Sequence, residues 1–253
     1  MTDLEYSKLP GWRSTSIKNI LDYGLFDTIH QDGLITSSDA FAFGNVFHTL
    51  VLEPHEFEKR YAVMPSFDRR TKAGKENEES WAANNGLKEI VSPDDYALAK
   101  KMSEQTLKRY GHIIDQCEKE VVYTAEFDGT KVKCKVDLVS EKLGFFADLK
   151  STAQEIKKRN IEKITMDYGY HVSYAFYKDI IELNGHKINN FGLLYTSKKD
   201  CRALFFEPSM ELLERGRGDY AIALEKIKAY EKDGSIDDAA IKFDLPFWAK
   251  EGE

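Results

Sequence analysis

Between residues 119 and 150 the apolar positions recur with a period of two. "KEVVYTAEF" (119–127) and "TKVKCKVDLV" (130–139) flank Asp128-Gly129, and "GFFADLK" (144–150) follows. Two β-rich runs around Asp-Gly predict a hairpin, and the third run extends it to a meander. Elsewhere the period is helical. Ser14 to Tyr23 and Ser38 to Leu52 begin at good N-caps, and Ser92-Pro93-Asp94-Asp95 supplies a cap, a first-turn proline and acids for another helix. Helices are expected at 153–163 and 168–184, strands at 189–197 and 201–207, and a long helix from Pro208 to about Asp233. The order predicts an α/β fold, a mixed central sheet flanked by helices with helical additions at the N-terminal end. With no repeat or linker, 1–253 reads as one domain. Residues 1–115 are its mainly helical part, 116–210 its catalytic sheet and helices, and 211–253 its C-terminal helix and tail.

The strands carry charge where apolar residues are expected. Alternation places Lys131, Lys133, Lys135 and Asp137 on one face and Val132, Cys134, Val136 and Leu138 on the other. On the next strand Phe146, Asp148 and Lys150 align. If the strands pair, Asp137 reaches Asp148, and two close carboxylates repel unless a cation or a proton lies between them. A divalent metal with hard oxygen ligands suits such a pair, and Lys150 beside it could orient a water or stabilise charge on a phosphate. A plain ion pair between Asp148 and Lys150 at a strand end accounts for the spacing equally well.

Composition narrows the setting. An apolar content of 42% supports a sizeable core, and three dispersed cysteines, Cys117, Cys134 and Cys201, form no C-x-x-C pair for zinc, a disulfide framework or an iron–sulfur cluster. No apolar run approaches a membrane span and the N-terminus lacks a signal-peptide pattern, so a cytoplasmic protein with no membrane partner is expected. The net charge of -7 disfavours an unspecialised polyanion binder. Local basic runs, "RRTKAGKE" (69–76) and "KKR" (157–159), could still line a groove, although such runs are often solvated faces.

Asp137 followed by Asp148-Leu149-Lys150 resembles the D…(D/E)-x-K signature of the PD-(D/E)xK nucleases, with Val136 in place of the usual proline. "FGNVFHTLVLEP" (43–54) resembles a segment of the RecE-type exonucleases, also called exonuclease eight, and "RRTKAGKE", "ADLKST" and "YHVSYAFY" follow in that family's order. The resemblance implies that His48, Asp137 and Asp148 hold Mg2+, with Mn2+ able to substitute, that the Leu149 carbonyl adds a ligand and that Lys150 serves the attacking water. Glu120 matches an acidic position of related nucleases and is a candidate secondary contact. His48 lies beside the apolar face of its helix, Phe43, Phe47, Leu50 and Val51, and Gly44 one turn earlier leaves room there.

The likeness further implies digestion of the 5′-ended strand of duplex DNA, a ring-shaped homotetramer around it, and a single-strand annealing protein as partner in recombination. Arg69, Arg70, Lys72 and Lys75 are expected in a flexible loop on the phosphate backbone. Ser151, Thr152, Tyr170, His171 and Tyr177 are further DNA-contact candidates. Tyr170, Ser173, Tyr174 and Tyr177 fall on one helix side suited to stacking, with Ser173 where relatives carry glutamine. Rival readings are a Cas4-like or restriction-type nuclease, a non-catalytic DNA-binding protein of the same fold, and a metabolic enzyme. No G-x-G-x-x-G or G-x-x-x-x-G-K motif supports the last.

Overall fold

The structure is a computed structural model that describes residues 3–30 and 39–236. Short helix α1 (Asp3–Lys8) precedes α2 (Ser14–Tyr23), α3 (Leu25–His30) and α4 (Asp39–Leu52). Ser38, the expected cap of α4, lies outside the described residues, as does the tail beyond 236. A 3-10 turn (Pro54–Glu56) and α5 (Phe57–Arg60) lead to strand β1 (Tyr61–Val63), then α6 (Lys72–Asn85), β2 (Glu89–Val91) and α7 (Pro93–Ile114). Ser92 caps α7 by accepting from Asp95 N at 3.0 Å, as its sequence signature requires. The small parallel pair β1–β2 is absent from the sequence expectations. Its three-residue strands are too short to display a period.

The central sheet contains β3 (Glu118–Phe127), β4 (Thr130–Ser140), β5 (Phe145–Thr152), β6 (Asn190–Ser197) and β7 (Ala203–Phe206), in that spatial order. All neighbours are antiparallel except β5 and β6, which are parallel and joined through α8 (Lys158–Asp167) and α9 (Tyr170–Leu183). The chain ends its described part in α10 (Met210–Asp233), capped by Ser209, whose side chain accepts from Leu212 N. A mixed α/β sheet flanked by helices is thus present. Helix α8 begins at Lys158 rather than at 153, because Thr152 Oγ1 accepts from Gln154 N and Lys157 N bonds Glu155 O in an intervening turn.

Each sheet face buries its own core. Val132, Cys134, Val136, Val139 and Phe146 pack with residues of α2, α9 and α10, whereas Leu138, Ala147 and Leu149 pack with Phe43, Val46 and Phe47 of α4 and Met102 of α7. Strict alternation along β4 therefore fails at Asp137. Val136 and Leu138, expected on one face, enter opposite cores, and Val139 rejoins the first. Lys133, expected on a polar face, is buried and donates to the carbonyls of Tyr6 at 2.9 Å and Ser7 at 3.3 Å. Those bonds satisfy the buried ammonium and pin the N-terminal segment to β4. No helix among the described residues is long and apolar enough to cross a membrane.

Candidate active site

The break in β4 makes the site. Pairing between β4 and β5 runs from Ser140–Phe145 to Leu138–Ala147 and stops there, so Asp137 and Asp148, next in register, stand where the strands part. On the other edge, pairing of β3 with β4 skips Glu120, which lies opposite Asp137 with a positive φ of 52°. A strand residue in the left-handed region cannot continue the ladder. Asp137 is released from its neighbours on both sides, and its Oδ2 accepts instead from the backbone N–H of Leu149 at 2.7 Å.

Helix α4 lies across β5 through fully buried Phe47, and the following residue, His48, is thereby carried to the gap. Its Nδ1 is 3.6 Å from Asp137 Oδ2, and the Leu149 backbone hydrogen-bonds the same imidazole. On the other side of Leu149, Asp148 Oδ2 accepts from Lys150 Nζ at 2.6 Å. His48, Asp137, Asp148, Lys150 and the Leu149 backbone therefore converge. Gly44 leaves open space one turn before His48: an added Cβ would meet only Ser151 Oγ, at 3.9 Å.

Burial and mutual charge shift the titrating groups of the cluster in different directions. Burial, then the neighbouring Asp148, raises the Asp137 carboxyl to about 8. Burial and the Lys150 ammonium push the His48 imidazole down to about 4, although a quarter of its side chain opens onto the cleft. His48 is consequently neutral at pH 7, the form that ligates metals. Burial opposes the charge on Lys150, but Asp148 and Asp137 more than compensate and hold it cationic. Once Asp137 gives up its proton, its carboxylate, that of Asp148, a neutral imidazole and a backbone carbonyl would offer oxygen and nitrogen donors of the kind Mg2+ or Mn2+ takes. No group of three His, Cys, Asp or Glu side chains among the described residues is already drawn into ligand geometry. Asp148 is turned to Lys150.

Two cavities flank this junction and share no lining residue. One, of about 600 Å³, opens between α4 and β4 and is bordered by His48, Asp137, Glu120, Lys135, Arg13 and Arg60. Glu120 lies 3.2 Å from Lys135 Nζ, so it borders the site through an ion pair. The second, about 120 Å³, lies toward α9 and contains Asp148, Lys150, Tyr170, Ser173, Tyr174 and Tyr177, so the helix side expected to group does so. Tyr177 is half-buried and hydrogen-bonded with Ser14, which leaves it a wall residue rather than a stacking surface.

Several expected DNA contacts lie elsewhere. His171 is buried, its Nε2 2.9 Å from Asp219 Oδ2, and it ties α9 to α10. Thr152 is buried and its hydroxyl is spent on the Gln154 turn, while Ser151 is half-buried beside Gly44. "RRTKAGKE" is not a flexible loop. Thr71 caps α6 by accepting from Gly74 N, and Lys72 and Lys75 sit in its first turn. Gly74 is needed because a Cβ there would come within 2.0 Å of Asp68 O, a close approach rather than a hinge. Arg69 pairs with Glu78 through two hydrogen bonds, Arg70 with Asp68 at 3.1 Å, and Lys72 is 3.7 Å from Glu76.

Lys18, Arg13 and Arg60 border the site but escape sequence reasoning. Among 36 lysines and arginines nothing in their local pattern singles them out. Lys18 stands in α2, 130 residues before Asp148 in the sequence. Burial and Lys150 lower its ammonium to about 8.

The fold has a counterpart among solved structures. A crystal structure of a candidate exonuclease from Eubacterium rectale superposes with a TM-score of 0.63, covering 97% of this chain and 96% of its own at 13% identity. That likeness carries the fold alone. A second solved structure, SSO0001, aligns over 70% of this chain and 85% of its own at 16% identity, with a TM-score of 0.31. No curated protein matches the sequence. With the Asp137…Asp148-x-Lys150 set on its parted strands, the chain belongs to the family described as PDDEXK-like domain of unknown function (DUF3799), which matches residues 26–238.

Proposed function

We propose that this protein is a Mg2+-dependent exonuclease that hydrolyses the 5′-ended strand of double-stranded DNA and leaves a 3′ single strand for recombination by annealing. The observation that carries the reading is the convergence of His48, Asp137, Asp148 and Lys150 where β4 and β5 part. A nuclease of the PD-(D/E)xK superfamily follows from the family. The exonucleolytic mode draws support from the name of the E. rectale neighbour and from the RecE-like "FGNVFHTLVLEP" block.

In this reading His48, Asp137, Asp148 and the Leu149 carbonyl hold Mg2+, or Mn2+ in its place. Held there, Mg2+ would supply polarisation of the scissile phosphate and a more acidic water. The chain's own groups do the rest. The bond from Leu149 N–H fixes the Asp137 carboxylate without occupying its second oxygen. Lys150, held cationic by Asp148 and Asp137, is a proton donor, so it orients water through a lone pair or meets the charge that grows on the phosphate. Neutral His48 adds a ligand without adding charge. The same reading includes a ring-shaped homotetramer around DNA and a single-strand annealing protein as partner.

End-labelled duplex DNA, with and without a 5′-phosphate, tests this with Mg2+ or with chelator. Mononucleotides released from the 5′ end only in the presence of Mg2+ are expected. Internal cuts, or binding with no hydrolysis, would overturn it.

A further inference from the structure

Lys18 lines both the small cavity beside Asp148 and a neighbouring outer groove. The cavity also contains Lys150, and the groove, of about 330 Å³, is bordered by Asp22, Met166, Asp167, Gly169, Arg215 and Asp219, where Asp219 is engaged by His171 and Arg215. Lys18 Nζ stands 5.2 Å from the centre of the Tyr170 ring, and Lys150 Nζ stands 5.9 Å from the same centre. Two ammoniums thus share one aromatic ring. Lys18 Nζ also donates to the backbone carbonyl of Tyr168 at 3.3 Å. Gly169, in the left-handed region at φ 61°, lets the turn between α8 and α9 close over the lysine stem, where an added Cβ would sit 2.9 Å from Lys18 Cδ.

On the outer side of this turn stands Tyr168. Its ring centre is 5.7 Å from that of Tyr170 at an interplanar angle of 32°, so the aromatic surface continues outward from Lys150. Tyr168 is 62% exposed and Met166 46%, an unusual exposure for two large apolar groups beside a charged cleft. The nearby Asp167 carboxylate is engaged by Lys163 at 2.6 Å. An occupant must therefore offer a flat apolar face to Tyr168 and, a few ångströms away, negative charge to Lys18. A nucleotide does both.

We infer that Tyr168 and Lys18 form a nucleotide subsite next to the reacting phosphate, in which Tyr168 stacks an unpaired base and Lys18 Nζ binds its phosphate. The inference rests on the proposed nuclease reading. Base–aromatic stacking tolerates any sequence, as a general nuclease needs, and the phosphate contact fixes how far the strand has advanced. The terminal pair must open for its base to reach Tyr168, so the subsite favours ends that are already frayed.

The test is binding of a duplex with 2-aminopurine at the 5′-terminal nucleotide, and of a second duplex with it at the 3′ terminus, in Ca2+, followed by hydrolysis in Mg2+. The wild-type protein should quench one probe. Tyr168→Phe should keep the quench, whereas Tyr168→Ala should lose it and bind roughly 10-fold to 100-fold more weakly. Lys18→Ala should lower the salt slope of binding by about one. Because Tyr168 is exposed, its loss leaves the core intact. Hydrolysis by the wild type with equal quenching in Tyr168→Ala, or with none in either protein, overturns the subsite and leaves the nuclease reading standing. No binding and no hydrolysis by the wild type overturns both.

Discussion

The backbone N–H of Leu149 donates to Asp137 Oδ2 at 2.7 Å, although the two strands that carry these residues have stopped pairing one position earlier. A side chain thus replaces a ladder partner. The exchange holds the strands open by the width of a carboxylate and aims Asp137 at His48 and Asp148. Asp137→Ala should remove both the fastener and a proposed ligand, and Asp148→Ala a proposed ligand together with the ion-pair partner of Lys150. Each is expected to lower Mg2+-dependent hydrolysis by at least about 100-fold, the former with a lower Tm as well. Wild-type turnover by folded Asp148→Ala protein would exclude the site.

Lys150→Ala should separate binding from chemistry. Because Lys150 neutralises Asp148 in the structure, its removal should leave Mg2+ affinity unchanged or higher while kcat falls about 100-fold. Isothermal titration with Mg2+ alongside single-turnover kinetics would read the two quantities. A matching fall in metal affinity would make the lysine structural instead.

His48 and Phe47 are neighbours with separable roles. Phe47 is fully buried between α4 and the sheet, so Phe47→Ala should cost about 3–5 kcal/mol in denaturant unfolding. His48→Ala should leave unfolding nearly unchanged yet weaken Mg2+ binding and turnover. Equal loss of stability in both variants would return His48 to a packing role.

The pH dependence of stability has a defined sign. Asp137 keeps its proton up to about 8 in the folded protein, whereas an unfolded aspartate loses it near 3.8, so this group makes stability fall as pH rises across that window. His48, lowered to about 4 against an ordinary 6.5, makes stability rise between those values. The two oppose each other below 6.5, and only the Asp137 decline remains from there to about 8. In chelator, Tm should therefore drop between pH 6.5 and 8, Mg2+ should restore it most at pH 8, and Asp137→Asn should abolish the drop. A flat wild-type profile over that interval would contradict the buried protonated carboxyl.

The start of α6 offers a test by salt. Arg69, Arg70 and Lys72 are held by Glu78, Asp68 and Glu76, so binding DNA through them must first break ion pairs. Neutralising these three with Lys75 should flatten the dependence of log K on log salt by fewer than four phosphate contacts, each worth a slope of about 0.9. An unchanged slope would make this a solvated helix end.

Periodicity along the chain determines the meander, most helices and the mixed α/β class, because a buried face must repeat every two residues in a strand and every three to four in a helix. The Asp137…Asp148-x-Lys150 set was legible for a related reason: charge on an otherwise apolar strand demands a partner. Tertiary structure decided the rest. Nothing local to β4 announces that pairing lapses on both sides of Asp137, since the lapse depends on Glu120 entering the left-handed region and on Leu149 donating from another strand. His171 is a DNA-contact candidate through its block and Arg69 through its basic run, while their partners in the structure, Asp219 and Glu78, are selected by how helices pack or turn back on themselves. Lys18 is the reverse case. It lies 130 residues from Asp148 and acquires meaning only because α2 packs against α9, a contact made by apolar side chains that carry no trace of the chemistry they bring together.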